Sequence, residues 1–122
     1  MTKRFLAAVA ALSCIPAAAA SPVEFLFEGT QCFHHTAQLA PGATLEVCGP
    51  LPRGEQVAWK YGAAGPIDFT LRPQGTGAAA ELHEGSRGTR GLFTAPEAHR
   101  YCFTFRNAAR AEVALAMELE HP

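Results

Sequence analysis

Residues 100–107 read Arg-Tyr-Cys-Phe-Thr-Phe-Arg-Asn, and the stretch alternates without a break: Tyr101, Phe103 and Phe105 fall on one side, Arg100, Cys102, Thr104 and Arg106 on the other. Aromatic rings at every second position specify an extended strand with one buried face, because successive side chains of a strand point to opposite faces. Cys102 is out of phase with the rings. It is therefore expected on the outer or edge surface, as a cross-link rather than core filling.

The rest of the chain follows the same two-residue grammar. Val23 to Phe27 reads as a first strand closed by Gly29, and residues 32–39 set Phe33, His35, Ala37 and Leu39 against Cys32, His34, Thr36 and Gln38. After a turn at residues 40–42, Leu45 and Val47 alternate with Glu46 and Cys48, and residues 49–54, rich in Gly and Pro, predict a loop. Val57, Trp59 and Tyr61 share one face of the next strand. A glycine turn is expected at residues 62–66, then a further strand with Ile67, Phe69 and Leu71 in phase, ended by a turn at residues 73–77. Residues 78–94 give the weakest signal: a short strand about Leu82, a flexible glycine-rich loop from Gly85 to Gly91, and an apolar return at Leu92 and Phe93. The last strand places Val113, Leu115, Met117 and Leu119 inward and Glu112, Glu118 and Glu120 outward. No helical period holds over eleven residues beyond the first 20. The pattern predicts an all-β chain: a two-sheet antiparallel β-sandwich of seven to eight strands.

The N-terminus has a different composition. Lys3 and Arg4 precede an apolar run, and residues 16–21, Pro-Ala-Ala-Ala-Ala-Ser, offer a small-residue exit, the pattern of a secretory signal peptide cut after Ala20. The alternative, a lipidated Cys14, lacks a leucine three positions earlier. Either reading predicts export. The remaining residues 21–122 suffice for one domain, and without Lys3 and Arg4 its eight basic residues face eleven acidic ones, a net charge of −3. That balance argues against nucleic acid as a partner, and no second apolar run approaches a membrane span. Three cysteines remain, Cys32, Cys48 and Cys102. In an oxidising compartment two should pair and one is left over.

The order Cys48, Trp59, Cys102 imitates an immunoglobulin domain, but Tyr101 is adjacent to Cys102 instead of two residues before it, so the two face opposite ways. A different likeness covers nearly the whole of residues 21–122. Gln31-Cys32-Phe33-His34, Gly91-Leu92-Phe93-Thr94-Ala95-Pro96 and Tyr101-Cys102-Phe103-Thr104-Phe105-Arg106-Asn107 resemble the lumenal GOLD domain of the emp24/p24 family, and the strands about Trp59 and Phe69 are similar to those of GOLD domains attached to Sec14-like proteins. The resemblance implies a jelly-roll-like sandwich, a role in binding, and a disulfide between Cys32 and Cys102, with Cys48 left unpaired. Both of those cysteines are out of phase with the apolar faces of their strands, which agrees. Closing that loop would stabilise the fold by roughly 4 kcal/mol in the chain-entropy model. The coiled coil, membrane span and tail of p24 proteins have no counterpart in this sequence.

Candidate chemistry is sparse. Beyond the signal the only serines are Ser21 and Ser86, neither in a nucleophile elbow. Cys32 and His34 share a strand face at i and i+2, but a disulfide with a neighbouring surface histidine is the commoner arrangement in an exported chain. His34, His35, His83, His99 and His121 could hold copper or zinc. No His-x-x-x-His or Cys-x-x-Cys spacing occurs, and His34 with His99 is the candidate pair. Arg87 and Arg90, in the expected loop, could receive an acidic partner or a phosphate. No cofactor motif is present. The sequence thus predicts an exported, non-enzymatic interaction module for a protein or glycan partner. The alternatives are a periplasmic copper- or zinc-binding protein and a thiol-redox role for Cys48.

Overall fold

A computed structural model of the chain describes residues 22–25 and 32–122. The expected signal segment and the second half of the first expected strand lie outside the described residues. The described strands are β1 (Val23–Glu24), β2 (Cys32–Leu39), β3 (Thr44–Leu51), β4 (Gln56–Pro73), β5 (Glu81–Thr94), β6 (His99–Asn107) and β7 (Val113–Glu120). The described residues include no helix.

The architecture turns on β4. Odd-numbered residues from Val57 to Leu71 face inward along its whole length, and even-numbered ones face outward. Its first half pairs with β7, Ala58 opposite Glu120 through Ala63 opposite Leu115. Its second half pairs with β6, Ile67 opposite Asn107 through Pro73 opposite Tyr101. One continuous sheet therefore folds over on itself at residues 62–66, giving two layers. One is β1-β3-β6 with the second half of β4, and the other is β2-β7 with the first half of β4. β5 runs antiparallel beside β4 through both layers. The fold is the β-sandwich expected. The glycine turn expected at residues 62–66 is instead a bend within one strand, and Gly65 sits where an added Cβ would lie 2.8 Å from Val113 Cγ2. Gly65 thus serves close packing rather than chain reversal.

The layers meet through aromatic rings. Phe69 packs 4.7 Å from Trp59, 5.2 Å from Tyr61 and 5.1 Å from Phe105, centroid to centroid, and Tyr61 meets Phe105 edge-on at 5.4 Å. These are the offset and tilted contacts that aromatic rings prefer. Phe25, following β1, closes the open side against Phe103 and Phe33. Gly49 makes this possible, since a side chain there would strike the Phe25 backbone oxygen. The loop expected at residues 49–54 accordingly shrinks: β3 continues to Leu51, and the turn is confined to the residues before Gln56, with Gly54 at φ 87°.

Three further expectations are corrected. The disulfide joins Cys48 to Cys102, not Cys32 to Cys102. Cys48 lies directly opposite Cys102 in the β3–β6 ladder, whereas Cys32 lies opposite Glu120 in the other layer. Cys48 is thus paired, and the redox reading that needed it unpaired falls. Both bonded cysteines do occupy the outward phase, yet they are buried: β6 lies between β3 and β4 rather than at an edge, and Glu24 and Arg72 flank the pair in the same cross-strand row. The glycine-rich loop of residues 85–91 is strand: β5 continues through it, with a left-handed Gly85 at a shift of register against β4, so Arg87 and Arg90 are strand residues. Gly88 and Gly91 press against Tyr61 O and the Trp59 indole, where a Cβ would come within 2.9 Å and 2.6 Å.

Asn107 is the one buried polar residue among those described. Its side-chain amide donates to Leu39 O and to Ala111 O, both at 2.8 Å, while Oδ1 accepts from Ala109 N at 2.7 Å. One side chain thereby ties the end of β2, the end of β6 and the turn into β7.

Two outcomes follow from this arrangement. Asn107→Ala strands buried backbone groups and should lower unfolding free energy by about 2–4 kcal/mol, read as a fall in the urea midpoint at unchanged m-value. Replacing both Cys48 and Cys102 by Ala, which opens a cross-link of sequence separation 54, should cost about 3–4 kcal/mol. Replacing Cys32 alone should change stability by under about 0.5 kcal/mol.

Candidate binding face

The outer face of the layer β2-β7-β4-β5 carries long side chains at one end and short ones toward the bend. Register aligns them in cross-strand rows: Cys32, Glu120, Ala58 and Leu92; then His34, Glu118, Lys60 and Arg90; then Thr36, Ala116, Gly62 and Gly88. Gln38 and Ala114 continue it toward the bend. The rows grade from charged to nearly featureless. Adjoining shallow depressions run along this face, about 500 Å³ beside Arg90 and Leu92, about 570 Å³ beside His34 and Lys60, and about 570 Å³ over Gln38, Gly62 and Ala114.

Gly62 is the informative residue. It lies at the start of the bend, where the β4–β5 register shifts, without a left-handed backbone, and a Cβ there would meet nothing within 4 Å. Glycine in a strand costs conformational entropy and gives nothing to pack. Neither steric crowding nor a left-handed backbone calls for it. Its bareness keeps the face low at this point. Leu92, 54% exposed, stands at the rim.

Charge is concentrated at one end. Lys60 Nζ bridges Glu118 Oε1 at 3.1 Å, and Arg90 is exposed beside it. Cys32 Sγ lies 3.8 Å from Glu118 Oε2. Desolvation against the sheet and the carboxylates of Glu118 and Glu120 push the Cys32 thiol above its ordinary pKa. That direction disfavours the thiolate, the form on which cysteine nucleophilicity depends.

The other expected site residues are dispersed. Arg87 donates to Ala64 O at 3.0 Å, bracing the bend of β4, while Arg90 alone reaches the depressions. His34 stands on this face, but His99 belongs to the other layer, where Nε2 donates to Gln74 O at 3.1 Å. His83 contacts Glu81, His121 contacts Glu55, and His35 stacks on Phe33. No two histidines converge. Among the described residues, the set of metal-ligand side chains close enough to share an ion is Glu46, Cys48 and Cys102, on the opposite outer face. Sequence reading missed the face itself. Its signal is the run of small residues in outward phase, Gly62, Ala64, Ala114 and Ala116, which composition alone does not separate from turns.

No protein-family model matches this sequence, and no curated protein matches it by sequence. Solved structures are similar in fold. The periplasmic lysozyme inhibitor PliG of Aeromonas hydrophila, an inhibitor of g-type lysozyme, aligns with a TM-score of 0.61 at 15% identity over 82% of this chain and 96% of its own. The pre-peptidase C-terminal domain of a Bacillus anthracis collagenase aligns at 0.66 and 8% identity, over 82% and 95%. CorA of Methylomicrobium album BG8, a surface-associated copper-binding protein, aligns at 0.53 and 11%, over 84% and 98%. At such identities the likeness establishes the sandwich and no more. The GOLD resemblance reaches the same level: the sandwich stands without a family match behind it.

The glycines of this region should behave oppositely. Gly62→Ala should leave the thermal midpoint unchanged or slightly raised, whereas Gly91→Ala, which drives a methyl into the Trp59 indole, should cost about 1–3 kcal/mol and alter tryptophan emission.

Proposed function

We propose that this chain is an exported, non-enzymatic binding protein that docks a protein partner on the low outer face of β2-β7-β4-β5. The observation that carries the reading is Gly62, a mid-strand glycine with open space above it, set among Thr36, Ala116 and Gly88. A bare sheet face with a charged, leucine-bearing rim has the anatomy of an interface: close approach at the centre and polar specificity at the edge. Lys60, Arg90, Glu118 and Glu120 supply that rim.

Export is supported by the signal-like pattern of residues 1–20 and by the Cys48–Cys102 disulfide, a bond that persists in oxidising compartments. A protein is favoured over a glycan because sugars stack on exposed aromatic rings, and here Trp59 and Tyr61 are turned into the core. Inhibition of another protein by a sandwich of this shape has a precedent in the PliG inhibitor. The non-enzymatic reading is supported by the dispersal of the histidines and by the raised pKa of Cys32.

The test uses tagged protein incubated with the exported fraction of its source. The double variant Gly62→Arg, Ala116→Arg should reduce capture of the bound protein at least tenfold while the thermal midpoint holds. Thr70→Arg, outward on the other layer, should leave capture unchanged. Equal capture by the double variant, or loss with Thr70→Arg alone, contradicts the assignment.

A further inference from the structure

On the opposite outer face, the row through the disulfide reads Glu24, Cys48, Cys102 and Arg72 across four strands, and Glu46 stands two residues before Cys48 in the same phase. The Glu46 carboxylate and both sulfurs lie within 4.8 Å of one another. We propose that Glu46, Cys48 and Cys102 form a binding site for a zinc-class divalent ion that exists only when the disulfide is reduced.

The backbone holds the ligands whether or not the sulfurs are bonded. β3 and β6 are paired over eight residues, from Thr44 opposite Arg106 to Leu51 opposite His99, and β6 is flanked on its other side by β4. Zinc takes thiolate at about 2.3 Å and carboxylate at about 2.0–2.2 Å, which in a tetrahedral shell sets the sulfurs about 3.8 Å apart. Two cysteines facing each other with Cα atoms 4.1 Å apart can reach that spacing by side-chain rotation once the bond is cut. Glu46 is exposed, so an ion has a solvent route on its side, and water can fill the fourth position.

Charge favours the same ion. Two thiolates and a carboxylate carry three negative charges against two positive on the metal. Arg72, directly across from Cys102 in the ladder, places one positive charge in the same row. Arg100, the other nearby cation, is engaged by Glu24, whose carboxyl it holds below the usual glutamate range.

The chemistry balances in two steps. A dithiol reductant gives two electrons and two protons to the disulfide, yielding two thiols and becoming a disulfide itself. The ion then binds as the two thiol protons leave to solvent. The site would therefore be closed in an oxidising compartment and opened by an encounter with a dithiol.

Cys32→Ser removes the third thiol. In that background the protein is reduced anaerobically, freed of reductant and titrated with Cd²⁺, followed by its thiolate-to-metal charge-transfer band, with Zn²⁺ as competitor. The expected result is one Cd²⁺ per chain in the reduced protein, none in the oxidised protein, and a Zn²⁺-dependent rise in thermal midpoint only after reduction. Glu46→Gln should keep the stoichiometry and the β-sheet circular dichroism while weakening binding at least tenfold. No band, unchanged affinity in Glu46→Gln, or a reduced chain that stays unfolded with metal would each overturn the assignment.

Discussion

The unbroken inward phase of β4 is the constraint on which the rest depends. Val57, Trp59, Tyr61, Ala63, Gly65, Ile67, Phe69 and Leu71 keep one parity through a bend of the chain. The same strand therefore supplies rings to both layers of the core. β7 and β6 pair with its two halves and are thereby set in different layers. β2 is carried with β7, β3 with β6, and β5 follows the bend alongside. A slip of one residue at the bend would turn Ile67, Phe69 and Leu71 to solvent, so register at this point fixes which sides of the molecule become outer faces.

Those two outer faces differ in character. One is low and nearly featureless at its centre, with charge gathered at one end. The other is crossed by a disulfide under a ceiling of Glu24, Arg100, Arg72 and Glu46. The covalent bond lies between neighbouring strands of one layer, so cohesion between layers rests on the aromatic cluster about Phe69 and on Asn107 at the end of the sandwich. Apolar burial supplies the larger part of folding energy in a domain this size. The disulfide adds its share by restricting the unfolded chain.

Much of this was legible in residue parity. The strand about Phe103, the β7 pattern and the inward set of β4 can all be read two residues at a time. The bend was hidden because Gly62, Gly65 and Pro66 resemble a turn, although the phase did not reset across them. The course of β5 was hidden for a related reason: Gly88 and Gly91 permit close approach to Tyr61 and Trp59, and sequence does not distinguish that role from flexibility. Parity also failed to choose the disulfide. Cys32, Cys48 and Cys102 are all out of phase with the core, so the criterion admitted every pairing, and only the β3–β6 register set Cys48 opposite Cys102. The candidate face escaped notice because its signal is a lack of side chains.

The most direct measurement is a set of cross-strand nuclear Overhauser contacts across the bend. Continuous strand predicts contacts from Gly62 and Ala63 to Ala116 and Leu115, contacts from Ile67 and Phe69 to Asn107 and Phe105, and an Ala63–Pro66 stretch that stays extended between them. Helical-turn contacts within residues 62–66, or a second half of β4 without contacts to β6, would contradict the shared strand and with it both outer faces.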